Sequence, residues 1–363
     1  MPPASPSSSA WSNEVGYCGV PRPLSPYCCR GTGSLSAGTH RLDVAWTPCH
    51  FPSMNDSPTA PVVGIGLSTT DLLFLVDDRP GFGPPVRAEH FLRQGGGPVA
   101  TALVALARLG LPTRFISRIG DDEEGDFMRA EFQREGVDTS LLESQPETLS
   151  QVALVLVERA TGERGFTFRE PTCTPLEAHE LDRNAIVGAS LLHLDDAEPA
   201  SMQAARWAHE AGVPVVLDGT WVHDDLPELL QLVDAPILSD IMARRWMPNA
   251  TPQQIVGRLR NYGARIAVLT LGEKGCVVQW DQGCFSFDAF AVDVVDTTGA
   301  GDAFHGGFIY GLLQNWPVAR TVCFAQAVAA LNCGHFGGRT GLPSLDQVEN
   351  LIAAQPLTPH PLS

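Results

Sequence analysis

The sequence predicts an α/β fold in which a mostly parallel central sheet carries helices on both faces, with a small separate β-sheet beside it. Short apolar runs alternate with helical segments between residues 190 and 270, and repeated strand–helix–strand units of this kind form parallel sheets. The extended segments near residues 72–94 lack crossover helices, which predicts the second, smaller sheet. A Gly-Ala-Gly turn at 299–301 opens the last helical region.

The first half of the chain supplies strands to both predicted sheets. The apolar run at 62–66 ends in glycine like a buried strand, and the helical run at 99–109 closes at Gly110. Ala160-Thr161-Gly162 has the composition of a hairpin turn. The predicted elements here are strands at 62–66, 72–76, 86–94 and 114–119, helices at 99–109 and 121–135, and hairpin strands at 151–158 and 164–169.

The second half alternates strands with helices. The predicted elements are strands at 190–194, 214–217, 236–238 and 266–270, helices at 199–211, 226–232 and 252–261, a hairpin at 276–280 and 284–288, and closing helices at about 302–314 and 317–332. Ligands of such sheets bind outside the carboxyl ends of the parallel strands.

The N-terminal segment, residues 1–58, is rich in Pro, Ser and Gly and shows no sustained period. Such a composition buries too little surface to offset the entropy of ordering, so we predict a disordered extension. Met54 lies just before the first apolar run, and translation is expected to begin there. A targeting or regulatory tail is the alternative.

Composition excludes several classes of protein. The formal net charge is −17, and an acidic surface repels nucleic acid and anionic membranes. The sequence lacks a run of 18 apolar residues and a secretory pattern, which predicts no membrane span. Nine cysteines occur without Cys-x-x-Cys spacing, which favours reduced thiols in the cytoplasm.

The most informative stretch is residues 293–308, where Gly299-Ala300-Gly301 leads into Asp302 and an apolar helical segment. Unpaired N–H groups and the helix dipole make the start of a helix an anion site. A carboxylate there would repel phosphate, but it fits a base that takes a proton from a hydroxyl attacking the phosphate. The stretch therefore predicts phosphoryl transfer to an alcohol.

The same stretch resembles the C-terminal signature of the ribokinase family, the PfkB-type carbohydrate kinases. The family pattern Asp-Thr-x-Gly-Ala-Gly-Asp is matched at Asp296, Thr297, Gly299, Ala300, Gly301 and Asp302. The resemblance extends over roughly residues 61–353 and implies a ribokinase-like fold, with Asp302 as catalytic base and the 299–301 amides as anion hole. In many members the segment holding Asp296 and Thr298 contributes to a monovalent-cation site, although a capping aspartate is equally plausible.

The resemblance also implies an acceptor site. Asp71, at the end of the first strand, matches an aspartate that binds sugar hydroxyls, and Gly95 and Gly96 match a glycine pair that contacts the sugar. The family's usual Asn a few residues later is absent, and Ala100 and Thr101 stand nearby. Side chains near predicted strand ends could also meet the substrate, although lone residues of this kind are usually structural; they are Arg169, His193 and His223.

On the nucleotide side, the run from Thr270 to Gly275, which includes Gly272, resembles the family's nucleotide loop, and Gln326 falls where the family places a residue near the adenine. One departure affects Mg²⁺. The family's Asn-x-x-Glu reads Ser239-Asp240-Ile241-Met242 here, and Asp240 is the candidate replacement.

The family plan divides the chain into the extension at 1–58, a kinase domain at 59–353 and a flexible tail at 354–363. In that plan the small sheet, from about 72–94 and 151–170, is a lid over the sugar and forms a homodimer contact. The run 291–308 and the run 328–343 look most like bacterial sulfofructose kinases. That substrate is not carried over, because the lid side has Pro84 and Pro85 and no cationic cluster beyond Arg87, Arg93 and Arg169.

The sequence thus predicts an enzyme that phosphorylates a hydroxymethyl group of a small sugar or sugar derivative, with ATP and Mg²⁺ and with K⁺ as a candidate further ion. A nucleoside kinase of the same family shares every nucleotide-side feature and is one alternative. A non-catalytic sugar-binding relative, suggested by the altered residues 239–242, is the other. Neither nucleic acid nor a membrane is an expected partner.

Overall fold

The computed structural model describes residues 59–78, 80–81, 83, 85–220 and 223–362. The expectations for residues 1–58, including a start at Met54, lie outside this part of the chain.

The described residues form strands and helices in the alternating order that the sequence predicts. The strands are β1 (Val62–Ile65), β2 (Thr69–Val76), β3 (Ala88–Gly96), β4 (Thr113–Gly120), β5 (Asp138–Gln145), β6 (Gln151–Glu158), β7 (Arg164–Arg169), β8 (Leu191–Leu194), β9 (Val215–Gly219), β10 (Ala235–Ser239), β11 (Ala267–Thr270), β12 (Cys276–Trp280), β13 (Gly283–Phe287) and β14 (His360–Leu362). The helices are α1 (Pro98–Arg108), α2 (Glu123–Arg134), α3 (Arg183–Val187), α4 (Pro199–Ala211), α5 (Leu226–Leu229), α6 (Asp240–Trp246), α7 (Pro252–Asn261), α8 (Ala300–Leu313), α9 (Val318–Cys333) and α10 (Leu345–Ala354).

The larger sheet has the strand order β14-β13-β12-β11-β10-β9-β8-β1-β4-β5. The parallel part of this sheet consists of β11, β10, β9, β8, β1, β4 and β5, each paired in parallel with its neighbours. Strands β12, β13 and β14 add an antiparallel edge beside β11. Neighbouring residues such as Val62 and Val63 pack into different hydrophobic clusters, one with α1, α8 and α9 and the other with α4 and α7. Helices therefore cover both faces, and the predicted fold class is confirmed.

The smaller sheet has the order β3-β2-β6-β7. Its strand β2 begins three residues before the strand predicted at 72–76, and β3 (Ala88–Gly96) is displaced by two residues from the strand predicted at 86–94. Its buried residues on β2 and β6 pack with Leu92 and Phe336, which places this sheet over the loop that follows α9.

Two predictions about the fold are wrong. The end of the chain is not a flexible tail, because His360–Leu362 pair with Ser286–Cys284 as an edge strand. Asp71 does not end the first strand of the main sheet; it lies inside β2 of the small sheet. The sequence analysis also missed β5, α3, α6 and α10. These are a polar edge strand and short or peripheral helices, whose pattern of burial is weak.

None of the helices in the described part of the chain has the length and apolar character that crossing a bilayer requires. The cysteines of that part, Cys173, Cys276, Cys284, Cys323 and Cys333, carry free thiols.

Candidate active site

The first turn of α8 is held open by Gly299. Its φ of 73° is left-handed, and a Cβ atom there would overlap the carbonyl oxygen of Gly338, so glycine is required. The N–H of Ala300 donates to Thr297 O at 3.3 Å. Within the described residues the amides of Gly299, Gly301 and Asp302 have no backbone acceptor, and a Cβ at Gly301 would meet open space. The helix therefore begins with unpaired donors, and the space beside Gly301 is open.

Asp302 lies at this N-terminus and is half-buried. Burial raises the pKa of its carboxyl group well above the ordinary value, and the nearby Asp218 and Asp71 raise it further. Arg164 and Arg339 act in the opposite direction on the same pKa. These neighbours come from β9, β2, β7 and the loop after α9, so Asp302 lies where both sheets meet.

The carboxyl ends of β8, β9, β10 and β11 lie side by side along one edge of the main sheet. Asp195 follows β8 and accepts from the N–H of Leu67 at 3.1 Å; burial raises its pKa well above the ordinary value. Asp218, on β9, accepts from Thr220 Oγ1 at 2.7 Å. The sequence analysis missed both acids, although each stands at the end of a predicted buried strand.

Asp71 is buried against the glycine pair that the resemblance singled out. A Cβ at Gly96 would overlap its carboxylate, and a Cβ at Gly95 would collide with Arg339 and Glu131. Desolvation raises the pKa of Asp71 to about 7, although Arg339 and a hydrogen bond from Thr69 lower it. Charged side chains of this chain therefore occupy the space that the two glycines leave free at the predicted acceptor site.

Arg339 is a site residue that the sequence analysis did not identify. It is 2% exposed, and its guanidinium donates to Thr101 Oγ1 at 3.0 Å and to Gly96 O at 2.9 Å. Burial lowers its pKa, and the carboxylates of Glu131 and Asp71 oppose that shift. Thr101, near the place of the missing family Asn, is therefore engaged by a buried cation. The signal was present in the Gly337–Gly341 run, but nothing in the sequence connects it to Asp71.

Two arginines of β7 take different positions. Arg164 donates to Thr297 Oγ1 at 2.8 Å and faces Asp302. Arg169, the predicted substrate residue, donates instead to Ser150 O at 2.8 Å and lies 3.7 Å from Asp122. The structure therefore brings Arg164, and not Arg169, to Asp302.

The segment before α8 is pinned by Asp296, which is fully buried. One carboxylate oxygen accepts from the N–H of Thr298 at 2.8 Å, and the other accepts from the N–H of Gly337 at 2.9 Å. Thr298 Oγ1 is buried without a hydrogen-bond partner among the described residues. A monovalent cation at Asp296 and Thr298 stays a prediction.

The predicted nucleotide loop is a tight turn between β11 and β12. Thr270 ends β11 and donates to Leu238 O at 3.4 Å, while the N–H of Leu271 donates to Gly275 O at 2.8 Å. Gly272 and Gly275 have φ values of 61° and 78°. Gln326 is buried in α9, and its Nε2 has no partner within the described chain.

The altered Mg²⁺ segment is the start of α6. Ser239 Oγ accepts from the N–H of Met242 at 3.3 Å, so this serine caps the helix. Asp240 forms an ion pair with Arg244 at 2.8 Å. No group of three or more His, Cys, Asp or Glu side chains with metal-binding geometry occurs in the described residues. His223 lies 3.0 Å from Asp196, and His193 is fully buried.

Comparison with known proteins gives this geometry its context. Residues 59–345 match the pfkB family of carbohydrate kinases. The chain belongs to that family. The predicted enzyme class, a carbohydrate kinase, is therefore confirmed.

Two relatives show the range of acceptors within the family. An aminoimidazole riboside kinase of Salmonella typhimurium is 32% identical over 301 residues, which cover 75% of this chain and 92% of the relative. An ATP-dependent ribose-1-phosphate kinase of Halopiger xanaduensis is 30% identical over 295 residues, which cover 80% and 98%.

Solved structures confirm the ribokinase-like fold. An Arabidopsis thaliana ribokinase complexed with ribose and ATP superimposes with a TM-score of 0.71 at 25% identity, covering 81% of this chain and 98% of that chain. An E. coli protein assigned as ribokinase II, in complex with ATP and Mg²⁺, gives a TM-score of 0.71 at 23% identity, covering 82% and 100%. ATP and Mg²⁺ are thus ligands of this fold. The likeness to sulfofructose kinases stays a prediction.

Proposed function

We propose that this kinase transfers the γ-phosphoryl group of ATP to a hydroxymethyl group of a small sugar or sugar derivative, with Asp302 as the general base. The observation that carries the proposal is the position of this carboxylate beside the unpaired amides that begin α8. Asp302 accepts the proton of the hydroxyl, the freed oxygen attacks the γ-phosphorus, and the bond to the β-phosphate oxygen breaks to release ADP.

The amides of Gly299, Gly301 and Asp302 would stabilise charge on the transferred group, whereas the Ala300 amide of the predicted anion hole donates to Thr297 O. One such donor is typically worth roughly 10²–10³-fold in rate. The desolvation that raises the pKa of Asp302 makes it a stronger base than an ordinary aspartate, provided that it is ionised when the acceptor binds.

ATP would lie along the carboxyl edge of the main sheet. Thr270, Gly272 and Gly275 form the turn that meets the phosphates and ribose, and Gln326 reaches toward the adenine. When bound with ATP, Mg²⁺ would neutralise charge on the phosphates. The ion pair of Asp240 with Arg244 favours an ion held mainly by phosphates and water, which is the usual habit of Mg²⁺. K⁺ would use the unpartnered Thr298 Oγ1 beside Asp296.

The acceptor is bound between Asp71 and Asp302. Residues that pair across neighbouring strands point to the same face of a sheet. Phe168 pairs through Ala153 with Asp71, and Phe166 pairs through Val155 with Leu73. Both aromatic rings therefore share the Asp71 face, and they are 49% and 54% exposed.

The exposed rings of Phe166 and Phe168 favour a second class of acceptor for the same reaction, a riboside whose flat base stacks on them. The riboside kinase among the relatives supports the same choice. The free sugar remains the other acceptor class, because Asp71 and the glycine pair serve any ribose-like ring.

The outer face of the small sheet is the proposed homodimer contact. Phe91 is 59% exposed and packs only partly on Phe74, with ring centroids 4.9 Å apart. A Phe91→Asp variant should shift a dimer toward monomer in sedimentation equilibrium, and an unchanged dimer would place the contact elsewhere.

The decisive experiment measures ADP release with ATP, Mg²⁺ and a panel that includes ribose, fructose, adenosine and aminoimidazole riboside. Asp302→Asn should lose at least about 10²-fold in kcat, whereas Asp293→Asn, an exposed acid on the same segment, should not. Full activity of Asp302→Asn would overturn the proposal. ATP binding without turnover on any acceptor would support the non-catalytic alternative.

A further inference from the structure

Asp218, His305 and His193 form a buried polar cluster near the first turn of α8. His305 Nε2 lies 3.2 Å from Asp218 Oδ2, and Thr220 Oγ1 donates to the other oxygen at 2.7 Å. The His193 ring stacks on His305, with centroids 5.2 Å apart and an interplanar angle of 24°. All three cluster residues are buried, and none has a part in the mechanism above.

The protons of this cluster can be placed from its contacts. Burial lowers the pKa of each imidazole to about 3, so both rings are neutral near neutral pH. His193 Nδ1 lies 3.1 Å from Val216 O, and a carbonyl only accepts, so this nitrogen carries the hydrogen. By the same reasoning His305 carries its hydrogen on Nε2, toward the Asp218 carboxylate. Asp218 thus accepts one hydrogen bond, from Thr220 Oγ1, and lies 3.2 Å from Nε2 of the neutral His305. The hydrogen bond and the nearby N–H favour the charged form of Asp218 against the burial that raises its pKa.

Helix geometry connects this cluster to the base. His305 follows Asp302 by three residues on α8, so the two side chains lie on the same side of the helix, one turn apart. His305 Nε2 lies 3.2 Å from Asp218 Oδ2, and among the charged neighbours of Asp302 it is Asp218 that most affects the pKa of that carboxyl group. The other charged groups that face Asp302 are Arg164, Arg339 and Asp71. Those that face Asp218 are Asp195, Asp302 and the two histidines.

We propose that His305 and Asp218 act as a positioning pair, in which His305 holds Asp218 as a fixed anion whose charge keeps Asp302 basic enough to accept the proton of the acceptor hydroxyl. The pair touches neither substrate, and its effect passes through Asp302. The inference rests on the proposed function, because it assumes that Asp302 is the base.

The test is the acid limb of the pH profile of kcat/KM, which reports the ionisation of the base in the free enzyme. Asp218→Asn removes the neighbouring charge and should move this limb to lower pH by on the order of one unit. His305→Leu removes the donor, leaves Asp218 neutral and should move the limb in the same direction. His305→Gln places an amide donor near the former Nε2 and should keep the limb near its wild-type position. The double variant Asp218→Asn/His305→Leu should shift no further than Asp218→Asn alone, because both changes remove one charge.

A purely structural role would lower kcat or the unfolding midpoint in each variant and leave the limb in place; that result overturns the proposal. If Asp218→Asn has too little activity for a profile, the Asp302 carboxyl band is titrated by difference infrared spectroscopy against Asp218→Asn/Asp302→Asn, and an unshifted titration overturns it equally. Activity retained in Asp302→Asn would defeat the proposed function instead, so the two failures are distinguishable.

Discussion

Thr297 Oγ1 donates to the carbonyl oxygen of Gly162 at 2.8 Å, and this contact joins the β6–β7 hairpin to the segment that leads into α8. The N–H of Thr297 approaches the same oxygen at 3.2 Å, and Arg164 donates to the Thr297 hydroxyl at 2.8 Å. The small sheet is therefore attached to the segment before α8 at a point five residues before Asp302.

Replacing Thr297 by Val should loosen this fastening, because the hydroxyl takes part in two hydrogen bonds worth roughly 1 kcal/mol each. We expect kcat/KM for the acceptor to fall by about tenfold, with a higher rate of ATP hydrolysis in the absence of acceptor because water enters the site. Steady-state kinetics with and without acceptor measure both effects. Thr161→Val is the matched control, since Thr161 Oγ1 bonds only within its own hairpin, donating to Glu158 at 2.7 Å and accepting from the N–H of Glu163 at 3.1 Å. An unchanged kcat/KM in the Thr297 variant would show that the hairpin contact does not govern closure.

Gly299→Ala should destabilise the protein by roughly 1–3 kcal/mol, because φ is 73° and a Cβ would overlap Gly338 O. Gly301→Ala, two residues along, meets open space in a helical conformation and should leave stability equal or slightly higher. Urea unfolding of the two variants makes the comparison. Equal stability of both would contradict the strained turn that opens α8.

Asp71→Asn should remove a pH dependence of stability. The pKa of Asp71 is raised from 3.8 to about 7 in the folded state, so between these values the folded protein binds more protons than the unfolded chain. This carboxyl group therefore costs no stability below about pH 4, and its cost grows as the pH rises toward about 7, by up to roughly 1.4 kcal/mol per pH unit.

The free energy of unfolding, measured by denaturant titration across this range, should fall less steeply with pH in Asp71→Asn than in the wild type. Asp78→Asn, an exposed acid beyond the end of the same strand, serves as control and should keep the wild-type slope. A wild-type slope in Asp71→Asn as well would mean that Asp71 is ionised in the folded protein at all these pH values.

Phe166→Ala and Phe168→Ala should discriminate between acceptor classes. Stacking of a base on an aromatic ring is worth about 1–3 kcal/mol, so kcat/KM for a riboside should fall on the order of tenfold more than that for ribose. Phe91 lies on the opposite face of the sheet, so Phe91→Ala should leave the ratio of kcat/KM for the riboside to kcat/KM for ribose unchanged. Equal losses for riboside and ribose would remove the argument for a flat base on this edge.

Much of the main sheet could be predicted because its strands and helices are long, apolar and periodic. The glycine turn that opens α8 was equally accessible, because Gly-Ala-Gly-Asp before an apolar run is typical of a helix start; its role in binding an anion stays a prediction. Short elements were harder to predict from the sequence. The helix α6 begins at a Ser239 cap within a run that also suits a loop, and β5 has the polar composition of an exposed edge.

The acceptor side was harder to predict, because its residues meet only in three dimensions. Arg339 and Asp71 are far apart in the chain, and only the packing of the loop after α9 beneath β2 and β3 brings them together. Arg164 and Arg169 cannot be distinguished by sequence, because the choice depends on which residues of β7 face inward. The pairing register settles it, with Arg164 on the Asp71 face and Arg169 on the other.

The last strand, β14, has a consequence for handling the protein. An uncovered strand edge offers N–H and C=O groups to other chains, and β14 covers that edge of β13 with three residues, the middle one Pro361, which cannot donate a hydrogen bond. A truncation before His360 would bare Gly283–Phe287, with its aromatic and thiol side chains, and would promote edge-to-edge aggregation.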